Sequence, residues 1–394
     1  MSRAPLTIVL PWYGPDTAGG AEWHARQLVA ALHRAAVPVE VWATTARDAR
    51  SPVAPHYALG WDVLDDVPVR RFAATQGSLP AWVRRTPQRW GLDAAPPNEW
   101  QLLAALTGSD TLLEALAHEA HGKRRFIFFL YAYPTTFFGA QIVGARAMLI
   151  PCLHDEPYAH YSTTRQLLES VPLILANSYG EAALIRALSG IGPERCPVVG
   201  EGIDLTWRGD GAAFRRRHGL DGPLLLFVGR RDYTKNFPVL WAYLEQRWRE
   251  RGPQPQLMLA GAGEWFIPPA LRPWVHDLGY ISEADKHAAF AAADVHCNPS
   301  LLESFSLALM EGWLQGTPAL VHARCAVTVD HCQRAEGGLW FDSYAQFNEA
   351  LDQLLDPQHG PAMGAHGRAW VQANCRWEDV VVRILAAMER PRSG

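Results

Sequence analysis

The sequence has little of three things: clustered cysteine, an excess of one charge, and long apolar runs. Its six cysteines include no Cys-x-x-Cys pair, which disfavours structural zinc, and scattered thiols in a chain of 394 residues are typical of a reducing cytosol. The formal net charge of −4 argues against a nucleic-acid partner, because phosphate backbones attract a basic surface. No apolar run reaches the ~20 residues that cross a bilayer. We therefore expect a cytoplasmic protein without a membrane span or signal peptide.

One segment leaves peripheral contact with the inner face of a membrane open. It combines aromatic and basic side chains without a clear helical period: Trp82, Arg84, Arg85, Arg89 and Trp90. Such residues suit a lipid surface. Because no helical period supports a membrane-binding face, a cleft wall or a solvated face is the interpretation we favour.

Length and patterning predict an α/β protein of two domains. The chain exceeds the ~250–300 residues at which single cores stop growing. Short apolar runs alternate with helical patterns, which is typical of parallel sheets covered by helices. The first half has strand-like runs at Leu6–Leu10, Val37–Thr44, Phe126–Tyr131, Ala147–Pro151, Leu173–Ala176 and Val198–Val199. The second half has them at Leu224–Val228, Gln256–Ala260, Val275–Leu278, Asp294–Asn298 and Pro318–His322.

Composition also predicts the domain boundaries. Residues 1–205 form the first predicted domain and residues 223–376 the second. The polar stretch 206–222, with three consecutive arginines, is predicted to be the linker between them. Segment 51–122 shows little period, so we expect loops and short helices there, with one helix at Leu102–Leu116.

The most informative stretch is residues 298–318, which read NPSLLESFSLALMEGWLQGTP. Two carboxylates, Glu303 and Glu311, stand eight positions apart, the first ending a loop and the second inside an apolar helix that closes at Gly316. A helix start near Ser304–Phe305 would offer N–H groups and a positive dipole end to a diphosphate. The carboxylates would accept hydrogen bonds from sugar or ribose hydroxyls. The arrangement suggests a nucleotide-sugar site.

Loops at other predicted strand ends suit the same ligand. Gly19 and Gly20 follow the first strand, where paired glycines let backbone approach an anion closely. His154 follows a buried run, at the edge where open α/β sheets bind ligands. These signals also have plain structural interpretations, a tight turn for the glycines and a histidine bonded to loop backbone.

A basic loop follows the first predicted strand of the second domain. It reads GRRDYTKN from Gly229 and carries Arg230 and Lys235. Arginine offers a rigid fork of donors and lysine a point charge, and together they neutralise a leaving diphosphate. Alone, such a loop is equally well a solvated surface. Beside the two glutamates, the phosphate interpretation is favoured.

Together these motifs resemble family 4 of the retaining glycosyltransferases, whose signature is Glu-x7-Glu and whose fold is GT-B. The resemblance runs from Pro5 to about Met388, with 51–122 unmatched. It implies an α/β chain with two facing Rossmann-like domains, a deep interdomain cleft, and a C-terminal helix within 377–394 that returns to the first domain. The family usually has glycine where this chain has Ser306, which leaves the donor sugar open.

The resemblance also implies roles for the site residues. The first domain would face the acceptor, with His154 near the reacting carbon of the donor. Arg230 and Lys235 would stabilise the departing diphosphate, Glu303 would hold sugar hydroxyls, and Glu311 the ribose. The other residues expected to contact the nucleotide sugar are Gly19, Gly20, Gly229, Tyr280, Ile281, Ser304, Phe305, Ser306 and Leu307.

The implied reaction moves a hexose, with retention, from a UDP-, GDP- or ADP-linked donor to an acceptor hydroxyl. The acceptor would be a carbohydrate, a lipid-linked sugar or a small molecule, in polysaccharide, glycolipid or glycoconjugate biosynthesis. No metal or other cofactor is expected. A nucleotide-sugar epimerase of the same fold, and a binding module without catalysis, are the alternatives. Sequence alone leaves the base, sugar, acceptor, linkage and oligomeric state open.

Overall fold

The computed structural model of the protein describes residues 4–17, 19–77, 79–119, 122–231, 233–263 and 266–390. The chain forms two compact units. Unit 1 comprises Met1–Gly202 and Trp377–Gly394, and unit 2 comprises Ile203–Arg376. Each unit is built on its own six-stranded sheet with helices on its faces. The predicted fold class, two Rossmann-like α/β domains, is therefore confirmed.

Within the described ranges, the first 202 residues contribute six strands and seven α-helices to unit 1, together with short 3-10 turns at Pro87–Trp90, Gly144–Arg146 and Pro157–His160. The strands are β1 (Leu6–Val9), β2 (Val39–Thr44), β3 (Gly60–Leu64), β4 (Val67–Phe72), β5 (Arg125–Phe129) and β6 (Ala147–Ile150). The helices are α1 (Gly20–Arg34), α2 (Ala81–Arg85), α3 (Pro97–Ala105), α4 (Asp110–His118), α5 (Pro134–Val143), α6 (Ser162–Ser170) and α7 (Tyr179–Ser189).

The sheet of unit 1 has the order β3-β4-β2-β1-β5-β6. All its pairs are parallel except β3 with β4. Alternating side chains of β5 enter the cores on opposite faces, Phe126 and Phe128 on one side and Ile127 and Phe129 on the other. The order reverses between β1 and β5, so loops after these strands border the ligand edge of this sheet.

Segment 51–122 differs from the prediction in two ways. It contains the antiparallel hairpin β3–β4, which turns at Asp65 and Asp66, both in left-handed conformations. The single predicted helix Leu102–Leu116 is wrong, because residues between α3 and α4 are extended and Gly108 bridges to Thr75. Ser109 then caps α4, its Oγ accepting from the N–H of Leu112 at 3.3 Å.

Two further strands predicted in unit 1, at Leu173–Ala176 and Val198–Val199, are present only as isolated bridges. Ile174 bridges to Leu149 and Ala176 to Val198. These segments still run beside the sheet, since Ile174 and Leu175 are fully buried. Their paired stretches are simply too short to count as strands.

The described part of unit 2 contains six strands, seven α-helices and 3-10 turns at Tyr233–Lys235 and Arg272–Trp274. The strands are β7 (Leu224–Val228), β8 (Gln256–Ala260), β9 (Val275–Gly279), β10 (Val295–Asn298), β11 (Ala319–His322) and β12 (Gly338–Phe341). The helices are α8 (Gly211–His218), α9 (Phe237–Arg251), α10 (Glu283–Ala292), α11 (Leu307–Gln315), α12 (Ala326–Ala335), α13 (Tyr344–Leu355) and α14 (His359–Asn374).

The predicted linker 206–222 contains the helix α8, which belongs to unit 2. Phe214 of this helix is buried together with Phe290 of α10. Gly211 packs so closely on α10 that a Cβ there would lie 2.2 Å from the carbonyl oxygen of Ala291. These residues therefore form part of a folded unit rather than a free connection.

The sheet of unit 2 has the order β12-β11-β10-β7-β8-β9, and every pair is parallel. The chain enters at the central β7, continues outward through β8 and β9, and then returns to the other side of β7 with β10. The chain therefore leaves β7 and β10 towards opposite sides at the carboxyl edge of the sheet. That switch in strand order is where open α/β sheets bind ligands.

The last helix, α15 (Trp377–Glu389), belongs to unit 1. Its Trp377, Val380 and Ile384 are buried in the same core as Leu28 of α1. Arg125 of β5 donates to the carbonyl oxygen of Met388 at 2.9 Å, which fixes the end of the helix. In the described ranges, no helix has the length and apolar character needed to cross a bilayer.

Candidate functional site

The switch point of unit 2 holds an ion pair between two predicted site residues. Lys235 ends the 3-10 turn after β7, and Glu303 lies in the loop after β10. Lys235 Nζ is 2.7 Å from Glu303 Oε1, and the two side chains are only 18% and 13% exposed. A cation and a carboxylate held together at this edge can serve a diphosphate and a sugar hydroxyl side by side.

Asn298, the last residue of β10, organises the loop that carries Glu303. Its Nδ2 donates to Ser306 Oγ at 3.0 Å and to Glu303 Oε1 at 3.4 Å. Its Oδ1 accepts from the N–H of Ser300 at 3.2 Å. The sequence analysis missed this residue, although a polar side chain at a strand's carboxyl end is a signal that could have found it.

Helix α11 begins at Leu307, so the predicted start near Ser304–Phe305 is wrong by two residues. The reason is Ser306, whose φ of 76° and ψ of 76° lie in the left-handed region and cannot continue an α-helix. Among the residues that the structure describes, no side chain caps the start of α11. Its first N–H groups, which have no partner within the helix, are therefore suited to an anion.

The left-handed Ser306 also explains why the resembling family has glycine at this position. Glycine adopts positive φ without strain, whereas a side chain makes it costly. In this chain Ser306 is nearly buried and its hydroxyl accepts the hydrogen bond from Asn298. The bond offsets part of the strain and places an extra side chain beside Glu303.

Two residues expected to contact the nucleotide sugar turn their side chains towards the protein. Phe305 is 3% exposed, and its ring packs edge-on against His331 with centroids 5.3 Å apart. Leu307 packs against the same core. Only the backbone of these two residues is therefore suited to a ligand. Ser304, between Glu303 and Phe305, is partly buried.

The two arginines after β7 have different surroundings. Arg231 is nearly buried and forms a forked pair with Asp277 of β9, in which Nη1 lies 2.7 Å from Oδ2. This bond holds the pKa of Asp277 below its usual value. Arg230 is exposed. The structure thus gives Arg231 a structural role, while Arg230, the predicted site residue, is the more exposed of the two.

Glycines bring the ends of β7 and β8 together behind this loop. Gly229 has a φ of 155°, and a Cβ on Gly261 would lie 1.9 Å from the carbonyl oxygen of Gly229. The N–H of Gly261 donates to Gly279 at the end of β9, at 2.8 Å. The Gly-x-Gly turn after β8 therefore packs the three strand ends against each other.

Tyr280 and Ile281 follow β9 and precede α10. Tyr280 is 80% exposed, and Ile281 packs partly against the core beneath α10. A large exposed aromatic next to an ordered backbone turn is compatible with a nucleobase. The contact itself stays a prediction.

Glu311 lies in the second turn of α11 and is bonded to a lysine that the sequence analysis missed. Lys286 Nζ of α10 is 2.8 Å from Glu311 Oε1 and 2.8 Å from Glu283 Oε2. Burial raises the pKa of Glu311, and the nearby ammonium only partly counteracts it. Burial lowers the pKa of Lys286, but the two carboxylates outweigh burial and raise it. No local sequence pattern predicts this ion pair.

One group of side chains among the described residues could offer a metal three ligand atoms within 4.8 Å of one another: Glu283, His287 and Glu311. The ammonium of Lys286 bonds to both carboxylates of this group. His287 Nδ1 lies 3.1 Å from Gln315 Nε2 and is thereby tied to α11. The carboxylates already have a cationic partner, so the group does not suit a metal.

In unit 1, Gly19 and Gly20 lie at the start of α1, which has no side-chain cap. A Cβ on Gly19 would lie 2.0 Å from Glu22 Oε2, whereas one on Gly20 would meet nothing within 4 Å. Glu22 is held by a hydrogen bond from Trp12 Nε1. Glycine at position 19 therefore makes room for this carboxylate, a role the sequence analysis did not foresee.

His154 is one-third exposed and lies next to a carboxylate, with its Nδ1 3.5 Å from Glu156 Oε1. Tyr131 OH donates to the same oxygen at 2.9 Å. Burial raises the pKa of Glu156, but hydrogen bonds from His154 and Tyr158 outweigh it and hold that pKa below its usual value. The carboxylate thus orients the imidazole.

The loop that carries His154 is held in place by Glu181 of α7. Its Oε1 accepts from the N–H of Leu153 at 2.6 Å, and its Oε2 from that of Asn177 at 2.5 Å. The side chain is fully buried, and burial raises the pKa of Glu181 to about 8. Ser178 Oγ caps α7 and accepts from the N–H of Glu181 at 3.0 Å.

The aromatic and basic segment weighed as a membrane surface is partly core. Trp90 is buried and contacts Trp82 with ring centroids 5.3 Å apart, and Trp82 packs on the same core. Arg84, Arg85 and Arg89 are exposed. The tryptophans therefore anchor the segment to unit 1, and the arginines form a solvated face.

A parallel sheet with a cation, a carboxylate and a helix start at its switch point is an arrangement typical of nucleotide-binding α/β proteins. The sequence narrows this class further. Residues 212–370 match the sequence model of the family described as glycosyl transferases group 1. That range covers nearly all of unit 2, including Lys235, Glu303 and Glu311.

One curated relative is D-inositol 3-phosphate glycosyltransferase of Mycobacterium leprae (strain Br4923). It is 28% identical over 254 residues, which cover 60% of this chain and 58% of the relative. The chain thus spans less than two thirds of the length of this relative. The match supports the group assignment and leaves acceptor and donor to be proposed.

Solved structures with this fold cover both units. Sucrose-phosphate synthase from Thermosynechococcus elongatus has a TM-score of 0.72 at 19% identity, and the match covers 98% of each chain. HepE of Anabaena, solved in complex with UDP and glucose, has a TM-score of 0.66 at 16% identity and covers 98% of this chain and 99% of its own. At these identities the likeness shows the fold, which is that of GT-B glycosyltransferases.

Proposed function

We propose that this protein is a retaining glycosyltransferase that moves a hexose from a nucleoside diphosphate sugar to an acceptor hydroxyl without a metal ion. The observation that carries the proposal is the Lys235–Glu303 pair at the switch point of unit 2, joined by Asn298 to the start of α11. The residues of the site act together as follows.

The leaving diphosphate would be neutralised by three elements of unit 2. Lys235 supplies a partly buried ammonium, and a charge in such a place acts more strongly than in water. Arg230 supplies a guanidinium on the same loop, and its fork suits phosphate oxygens. The N–H groups of the first turn of α11 and its dipole add a fixed positive end. These groups replace the charge a metal would provide.

The sugar and the ribose would be held by the two glutamates. Glu303 is held at Oε1 by Lys235 and Asn298, and its carboxylate would accept a hydrogen bond from a sugar hydroxyl. Glu311, eight residues later and within α11, would accept a hydrogen bond from the ribose. Neither carboxylate is placed here as a nucleophile. We favour attack on the same face as the leaving group, in which the departing phosphate takes the proton of the acceptor.

In unit 1, His154 would contact the donor sugar and Gly19 and Gly20 the diphosphate. The carboxylate of Glu156 supports the first role by orienting the imidazole. The open start of α1 supports the second. A cytoplasmic location, and peripheral contact of the protein with the inner face of a membrane, also stay predictions.

The comparisons support the choice of donor and acceptor to test. HepE was solved with UDP and glucose, and another neighbour, trehalose-6-phosphate synthase, with UDP-2-fluoro glucose. We therefore place UDP-glucose first among UDP-, GDP- and ADP-linked hexoses. The Mycobacterium relative acts on D-inositol 3-phosphate, so phosphorylated polyols come first among acceptors.

The test is release of free nucleoside diphosphate from a panel of donors, with and without a panel of acceptors. We expect release that depends on an acceptor, and an anomeric configuration in the product, read by NMR, that matches the donor. Conversion of the donor without an acceptor would favour an epimerase. Tight binding with no conversion across the panels would favour a binding module. No binding of any nucleotide would contradict the proposal.

A further inference from the structure

Lys286 is one of only three lysines in the chain, and its ammonium lies between two carboxylates. Its side chain is 17% exposed, and that of Glu311 is 10% exposed. The contacts join α10 to α11, two helices that pack side by side. Lys286 is therefore a mostly buried lysine beside a carboxylate that is expected to bind ribose.

The contact is asymmetric on Glu311. Lys286 Nζ bonds to Oε1, and within the described ranges no hydrogen bond ends on Oε2. Glu283, from the first turn of α10, holds the ammonium from its other side. His287, which also faces this cluster, is tied to Gln315. The carboxylate of Glu311 thus has one oxygen fixed by a cation and one available as an acceptor.

A lone buried carboxylate is a poor acceptor for a ribose hydroxyl, because burial favours its protonated form. Burial does raise the pKa of Glu311, and Lys286 opposes that effect. An ammonium 2.8 Å away favours the anionic form of the carboxylate and fixes its rotamer. Hydroxyl donors bind an oriented, charged acceptor more tightly than a neutral one.

The geometry points to Lys286 as a positioning residue for ribose recognition: it holds Glu311 by Oε1 and presents Oε2 to a ribose hydroxyl. Lys286 itself does not touch the nucleotide. The inference rests on the proposed function, since it assigns Glu311 to the ribose. Its consequence is selectivity for ribonucleoside over deoxyribonucleoside diphosphates.

The experiment measures binding of UDP, GDP and ADP and of their 2′-deoxy and 3′-deoxy forms by calorimetry. Wild type should prefer the ribose form of the base it accepts over at least one deoxy form by about tenfold or more, the scale of a hydrogen bond to a charged group. Lys286→Met should lose most of that ratio while still binding diphosphate. Lys286→Gln, which keeps a hydrogen-bond donor and a polar side chain, provides a second variant if the first does not fold.

Lys123→Met is the matched control, because it makes the same change at an exposed lysine on unit 1 and leaves the Lys286–Glu311 contact in place. Its ribose-to-deoxyribose ratio should stay within about twofold of wild type, since Oε2 of Glu311 is unchanged. An unchanged ratio in both Lys286 variants would show that the ion pair only stabilises the fold and would overturn the inference alone. No nucleoside diphosphate binding by wild type would overturn the proposed function as well.

Discussion

Lys235 Nζ lies 2.7 Å from Glu303 Oε1, which joins the loop after β7 to the loop after β10 across the switch point of unit 2. The two residues are 68 positions apart in sequence. Each was predicted as a site residue from its own motif. Their contact brings the two motifs together at one place in the fold.

Replacing Lys235 by alanine should reduce turnover by about a hundredfold or more, the scale of losing one charge-stabilising donor. It also leaves Glu303 without its cation. The measurement is the initial rate of nucleoside diphosphate release with donor and acceptor saturating. Lys123→Ala is the control, because Lys123 is exposed on unit 1. Equal rates for Lys235→Ala and wild type would remove Lys235 from the chemistry.

Ser306 should respond differently to alanine and glycine. Alanine keeps a Cβ at a φ of 76° and loses the hydrogen bond from Asn298, so the free energy of unfolding should fall by about 1 kcal/mol. Glycine also loses the bond but relieves the strain, so Ser306→Gly should be more stable than Ser306→Ala by roughly 1 kcal/mol. Denaturant unfolding of the three proteins measures both differences. The reverse order of the two variants would contradict the left-handed assignment.

Gly261 should not tolerate a side chain. A Cβ would lie 1.9 Å from the carbonyl oxygen of Gly229, and its φ of 139° strains any other residue. We expect Gly261→Ala to lower the free energy of unfolding by about 2 kcal/mol or more, in the range of overpacked sites. Gly20→Ala is the matched control, because a Cβ there meets nothing and α1 gains helix propensity. Thermal or denaturant unfolding distinguishes them, and similar losses for both would contradict the close packing.

Glu181 predicts a pH dependence of stability. Its pKa is raised from an ordinary 4.5 to about 8 by burial, so the folded state binds this proton more tightly than the unfolded state. Its contribution to stability is therefore full below pH 4.5 and is lost as pH rises from there to about 8. The free energy of unfolding of wild type relative to Glu181→Gln should fall across that window.

Denaturant unfolding from pH 5 to pH 9 measures that difference, with a slope of at most about 1.4 kcal/mol per pH unit. Glu349→Gln, at an exposed position on α13, is the reference for general effects of losing a carboxylate. A wild-type-minus-Glu181→Gln difference that rises with pH would show that the hydrogen bonds from Leu153 and Asn177 outweigh burial.

Sequence was sufficient where a pattern is local. The apolar runs of β7 and β8 were predicted with the bounds that the structure shows. The sequence was insufficient where the conformation of a few residues determines where a helix begins or ends. The left-handed Ser306 moves the start of α11 to Leu307, and the extended residues around Gly108 separate α3 from α4. The spacing of apolar residues along the sequence does not reveal either of these local conformations.

Sequence also missed features that depend on partners far along the chain. Strand β3 is exposed at the sheet edge, with Trp61 61% exposed, so it lacks the alternation of a half-buried strand. Lys286 meets Glu311 from another helix, and Arg231 meets Asp277 from another strand. The two arginines of Gly-Arg-Arg look alike in sequence, and only the fold distinguishes them.

The most direct test of the central claim is a crystal structure of the protein with the nucleoside diphosphate sugar that it binds. We predict diphosphate oxygens within hydrogen-bond distance of Lys235 Nζ and of the first N–H groups of α11. It also predicts a sugar hydroxyl on Glu303 and a ribose hydroxyl on Glu311. A ligand bound elsewhere, with the Lys235–Glu303 pair intact and untouched, would contradict it.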